Sequence, residues 1–211
     1  MNPRIKLCLL SSLMLSVPAF ATTVSLEYSG FHDRLKLVKK GDFPRTELTF
    51  SVPMKAGCKI VKGEITTESK RFPLTITDDQ RLFVPFDDDL KLARALVNIE
   101  TDGDASTCGL SLQVRERVPQ TQYSGDTLAE LKSEMDSLQA SLQGFPMKYF
   151  ARPSDGIRFE FTQEGRFATV DGSEKRLSKE LILTSEELDG ISQLSFSDAP
   201  QIVSPWYAQT K

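Results

Sequence analysis

Cysteine, histidine and tryptophan are scarce in this chain, with three, one and one in 211 residues. With His32 the sole imidazole and no C-x-x-C spacing, the donor set of a zinc site is missing. The sequence contains no G-x-S-x-G elbow for a hydrolase nucleophile and no clustered glycines for a phosphate cradle. Basic charge is not in excess either. A net charge of -3 speaks against a general nucleic-acid binder, which needs a positive surface to displace counterions. Lys36, Lys39 and Lys40 read as the solvated face of a helix. Past the N-terminus, no apolar run approaches the roughly 20 residues that cross a bilayer. Internal repeats and low-complexity tracts are absent, and no cofactor is implied.

What is present begins with a leader pattern. Arg4 and Lys6 form a positive head, Leu7 to Val17 an apolar run, and Pro18 precedes Ala19-Phe20-Ala21. Head, short apolar middle and A-x-A end predict a secretory signal over residues 1–21, cleaved between Ala21 and Thr22. Lipid attachment is not expected, because Cys8 lies at the front of the apolar run. The mature chain is then periplasmic or extracellular. It keeps 29 acidic side chains against 26 basic ones less Arg4 and Lys6, a balance of -5. Cleavage removes Cys8 and leaves Cys58 and Cys108, a pair that an oxidising compartment joins as one disulfide. The alternatives are two buried thiols or half of a metal site.

Residues 22–118 read as a β domain. Glu47 to Val52 and Cys108 to Val114 alternate polar and apolar, the period of a half-buried strand. Lys59–Val61 and Glu64–Thr66 flank Gly63, Leu96–Ile99 supplies another strand, and Asp78-Asp79-Gln80 turns Leu74–Ile76 back onto Leu82–Val84. Short strands at this spacing suggest an antiparallel sandwich or a partly open barrel. One early helix is expected, with Ser29 as N-cap, Phe31, Leu35 and Val38 on one face, and Gly41 at its end. His32 sits on it and is expected to be a partly exposed helix residue rather than a catalytic base.

Residues 119–145 read as a linker, Pro119 to Gly125, followed by an amphipathic helix. Thr127 and Glu130 have capping-box spacing, while Gly144 and Pro146 end the pattern. Leu128, Leu131, Met135, Leu138 and Leu142 recur at steps of three and four, a short heptad seam. It suits a helix laid on a sheet, with pairing of two copies as the alternative. Residues 146–211 return to strands at 157–161, 167–170, 181–183 and 194–196, with an Asp171-Gly172 hairpin turn and a short capped turn at Ser185–Glu187.

Carboxylates are the abundant chemistry. Asp87-Asp88-Asp89 is a compact run, and Asp102 and Asp104 share a glycine-containing loop. Both read first as solvated turns, since EF-hand spacing is missing; calcium binding is the sharper alternative. Trp206, Tyr207 and Tyr149 offer either tail packing or a sugar- or peptide-binding platform.

Tyr28-Ser29-Gly30 with Arg34-Leu35-Lys36, the pair Cys58 and Cys108, Leu82 through Pro85-Phe86-Asp87, Leu90-Lys91 and Pro205-Trp206 occur in this order. Together they resemble a family of small exported proteins of gram-negative bacteria catalogued as a domain of unknown function. The resemblance implies an exported protein and brings no catalytic residues with it. The sequence therefore predicts a mostly β protein with α, acting as a non-enzymatic module that binds a protein or another envelope component. Asp87, Asp88 and Trp206 are its candidate contacts. The competing reading is a carboxylate-dependent enzyme or carrier acting on envelope glycans.

Overall fold

The computed structural model describes residues 22–209, and its strands pair antiparallel throughout. The predicted leader and its Ala21 cleavage position lie outside the described residues. Thr22 opens the first strand.

The N-terminal half holds two four-stranded sheets. One has the order β1 (Thr22–Glu27), β7 (Leu96–Thr101), β3 (Ile60–Thr66), β4 (Arg71–Pro73). The other runs β5 (Thr75–Ile76), β6 (Arg81–Phe83), β2 (Thr46–Ser51), β8 (Ser111–Glu116). The chain from 71 to 76 belongs to both. It pairs with β3 as β4, donates from Leu74 N–H to the Gly63 carbonyl, then pairs with β6 as β5. Gly63 admits this crossing, because a Cβ there would stand 2.7 Å from Ile76 and 3.3 Å from Leu74. The two sheets are thus joined at one side, while β1 and β8 are edges.

Cys58 and Cys108 are disulfide-bonded. One precedes β3 and the other precedes β8, so the bond ties one sheet to the other. The strands predicted on either side of Gly63 form a single strand, β3, with an irregularity between Ile60 and Lys62. β2 departs from a half-buried strand: Thr46, Thr49 and Ser51 are buried along with Leu48 and Phe50. Its neighbour β8 lies against β15 (Ile202–Trp206) of the C-terminal half.

Helix α1 (Tyr28–Lys40) buries Phe31, half-buries Leu35 and Val38, and ends where Gly41 donates to the Leu37 carbonyl. Its start is two residues ahead of expectation. Glu27 occupies the N-cap without a side-chain bond, and Ser29 lies inside the helix.

Helix α3 (Gly125–Gln143) is capped by Ser124, whose hydroxyl accepts from Thr127 N–H. The capping box placed at Thr127 and Glu130 is therefore corrected by one turn; Thr127 lies in the first turn and Glu130 pairs with Arg45 at 3.2 Å. Leu128, Leu131, Met135 and Leu138 have no exposed surface, and Leu142 packs against the same core. The seam faces inward, against the sheets. Glu134 bolts the helix to β2: one carboxylate oxygen accepts from Arg45 N–H at 2.9 Å, Thr46 N–H at 2.7 Å and the Thr46 hydroxyl at 2.8 Å.

The expected linker contains a strand. β9 (Gln122–Ser124) pairs with β14 (Gln193–Phe196), in a sheet of order β12 (Ser173–Arg176), β11 (Phe167–Val170), β14, β9. The remaining sheet is β13 (Glu180–Thr184), β10 (Gly156–Glu160), β15. Asp171 and Gly172 make the β11–β12 turn with φ of 46° and 84°, the paired positive angles of a type I′ hairpin. Thr184 and Glu187 form a capping box for α4 (Ser185–Gly190), one residue ahead of the predicted turn. One contiguous buried cluster runs from Tyr28 to Val203 and includes the α3 seam.

Candidate functional site

Opposite the β4–β5 crossing, the gap between edge strands β1 and β8 is incompletely filled. One hollow of about 270 Å³ is lined by Leu26, Phe31, Phe50, Leu110 and Leu112, with Glu27 and Arg34 its charged residues. A second, of about 220 Å³, is lined by Val24, Val52, Ile99 and Cys108 among others, and shares Leu26 and Leu110 with the first. The two are halves of one apolar cleft. Side by side they reach the lower end of the roughly 300–1,000 Å³ of small-molecule sites. Phe31 sets the wall toward α1 by meeting Phe50 edge-on at 4.8 Å. Leu110 and Leu112 are 39 % and 40 % exposed, apolar surface at the mouth rather than in the core. The Arg34 guanidinium donates to the Gly30 carbonyl at 2.7 Å, which holds the cation beside the opening.

On another side of α1 is a polar corner in which a buried imidazole meets two exposed carboxylates. His32 is 1 % exposed, not partly exposed as its helical position suggested. Phe86, from the segment before α2 (Asp88–Leu92), stacks on the imidazole at 4.6 Å and shields it. Nε2 lies 2.8 Å from Asp88 Oδ1, and Nδ1 lies 3.3 Å from Asp33 Oδ1. Hydrogen bonds from Lys91 and then His32 hold the Asp33 carboxyl below the usual range. Tyr28 donates from its hydroxyl to the Pro85 carbonyl at 2.5 Å and accepts from Asp87 N–H at 2.9 Å. Burial raises the pKa of that phenol. Both imidazole nitrogens are occupied by carboxylates and neither meets a nucleophile, so the corner braces α2 against α1.

The acidic run is the start of α2, a helix too short to show periodicity. The Asp87 carboxylate accepts from Asp89 and Leu90 N–H, and Asp88 and Asp89 follow in the first turn, where the helix dipole favours negative charge. Asp87 and Asp88 therefore do not face each other across a cleft. Asp104 caps the 3-10 turn at Ala105–Thr107 by accepting from Ser106, which holds its carboxyl low, and Asp102 accepts from Lys59 N–H. Among the described residues, no three His, Cys, Asp or Glu side chains gather as a metal site.

Trp206 is half-buried at the end of β15, opposite Gly156. Tyr207 accepts from Gln139 at 3.4 Å, whereas Tyr149 lies at an exposed turn against Phe145. No ring contact joins Trp206, Tyr207 and Tyr149 among the described residues.

Sequence reasoning passed over one buried pair. Glu116 ends β8 on the face of Val114, and Tyr123 rises from β9 to donate to its carboxylate at 2.6 Å. Burial pushes the Glu116 carboxyl up to about 7, against the smaller opposing effects of Tyr123 and Arg45. Burial, then the Glu116 carboxylate, raises the Tyr123 phenol. The signal was present: strand alternation puts Glu116 in line with Leu112 and Val114, on the inward side.

A family model described as a protein of unknown function matches residues 20–161, which takes in the cleft, the polar corner and α3. No curated protein matches the chain, and no solved structure matches it.

Proposed function

From the premise that the chain belongs to DUF2987, we propose that it is an exported, periplasmic binding module without catalytic function, its ligand held in the apolar cleft between β1 and β8. The observation that carries this reading is the cleft itself: two edge strands bordering unfilled apolar space with Leu110 and Leu112 left at its mouth. The leader pattern of residues 1–21 and the disulfide support an oxidising compartment. Among the described residues, no helix is long and apolar enough to cross a membrane. The His32 corner, the one place where imidazole and carboxylates meet, is closed by its own hydrogen bonds. The ligand class fitting such a cleft is an apolar chain or ring, or the apolar side chains of an extended partner segment.

A neutral apolar fluorophore tests the cleft. Saturable binding is expected with the natural chain. Filling the cleft with Leu26→Trp and Leu110→Trp should weaken that binding at least roughly tenfold, because tight occupancy needs contact on all sides. Unchanged binding by the filled variant, or none by either protein, would refute the cleft. Export is tested separately by the N-terminal sequence of protein recovered from the envelope, where Thr22 is the expected first residue.

A further inference from the structure

Among the described residues, the turn after α3 concentrates exposed large apolar side chains. Phe145, Met147, Tyr149 and Phe150 are 82 %, 55 %, 70 % and 77 % exposed. They crowd a single segment, Gly144 to Phe150, which ends α3 and makes one 3-10 turn at Met147–Phe150. Burying none of four large apolar residues in six positions leaves a concentrated patch, and such patches mark interaction sites. The segment's order is local. Lys148 N–H donates to the Gly144 carbonyl, Tyr149 N–H to the Pro146 carbonyl, and Phe145 meets Tyr149 edge-on at 6.2 Å. A turn held by its own backbone carries these rings outward as a fixed tip.

Charge is one-sided here. Between Asp136 and Asp155 the sequence has no acidic residue, although the chain carries 29 of them; its charged side chains there are Lys148 and Arg152, and since Arg152 is paired with Asp155 at 2.8 Å, Lys148 is the cation of the tip. Lys148 Nζ sits 4.9 Å from the centre of the Tyr149 ring, a cation within an aromatic cluster. Phenyl rings, a phenol and an ammonium on one convex tip suit the layer between lipid headgroups and acyl chains, where aromatic residues anchor and cations meet anionic headgroups. A protein partner would need a separate recess for each protruding side chain; a fluid bilayer needs none.

We propose that residues 144–150 form a membrane-docking tip that inserts Phe145, Met147, Tyr149 and Phe150 into the surface of an anionic phospholipid bilayer. The full chain then binds peripherally, with α3 behind the tip. The site is separate from the cleft and stands whether or not the cleft binds a ligand.

Vesicle sedimentation with the full-length mature chain tests this, using phosphatidylglycerol–phosphatidylethanolamine vesicles and vesicles of phosphatidylcholine alone. The expected result is binding to the anionic vesicles, weaker binding to phosphatidylcholine, and at least a roughly tenfold loss in Phe145→Ser/Phe150→Ser. Lys148→Glu should weaken anionic-vesicle binding selectively. As an independent measurement, Phe150→Trp in a Trp206→Phe background should show blue-shifted emission on adding anionic vesicles and be quenched by brominated lipid. Unchanged thermal unfolding of the variants shows that they fold. No vesicle binding by the natural chain, or binding indifferent to these substitutions, overturns the proposal. So does a tip that alters self-association or capture of a protein while leaving vesicles unbound.

Discussion

A carboxylic acid enclosed by hydrocarbon resists losing its proton, and Glu116 is such an acid. The folded chain keeps that proton to a pH of about 7, while the unfolded chain releases it near the ordinary value of 4.5. The sign is therefore fixed: the folded state binds more protons between these values, and stability falls as pH rises through them. The contribution is fully present below pH 4.5 and lost above 7. Urea unfolding between pH 5 and 8 should show a decline of up to roughly 3 kcal/mol from this group. Glu116→Gln, which keeps an acceptor for Tyr123, should flatten the decline, and an unchanged slope would show that the pair does not control it. Glu116 was legible in the sequence because it falls on the inward side of an alternating strand. Tyr123 was hidden in a polar, linker-like segment whose pairing partner, β14, lies some 70 residues away. His32 escaped for a similar reason: the Asp88 that engages it and the Phe86 that covers it arrive from across the fold.

Elements were legible where their period was long. The α3 seam, the β5–β6 hairpin and the Asp171-Gly172 turn lie where spacing and turn chemistry put them. Short elements without a turn signal beside them were not: α2 has five residues and β9 three, too few to display a period. The cap of α3 was misplaced because Ser124 and Thr127 both have suitable hydroxyls, and only the backbone decides between them. Ser124→Ala should cost about 1 kcal/mol, as loss of an N-cap does, and Thr127→Ala less. A larger loss for Thr127→Ala would return the cap to the position its spacing suggested. Inside the helix, Leu131→Ala should cost between about 2 and 5 kcal/mol by leaving a void. Its sedimentation mass should equal that of the natural chain, since the seam side chains have no surface to offer a second copy.

At the scale of the whole molecule, the mostly β character and the disulfide were readable from strand spacing and from two cysteines. The way the halves meet was not, because β15 over β8 is a contact between segments some 90 residues apart. A core running continuously from Tyr28 to Val203 crosses both boundaries expected from composition. The bond across 50 residues should remove unfolded-chain entropy worth about 4 kcal/mol. Reduction should therefore lower the unfolding temperature, with Cys58→Ala/Cys108→Ala matching the reduced protein; identical melting with and without reductant would contradict it.

Consider the strand that bends at Leu74 together with the sulfur bridge beside Cys108. The first acts as a spine, fixing the sheets along one margin, and the second is a clasp near the other, since Cys108 borders the hollow that Leu26 and Leu110 divide. How far the free margin can gape is then governed by a covalent bond that thiols can undo.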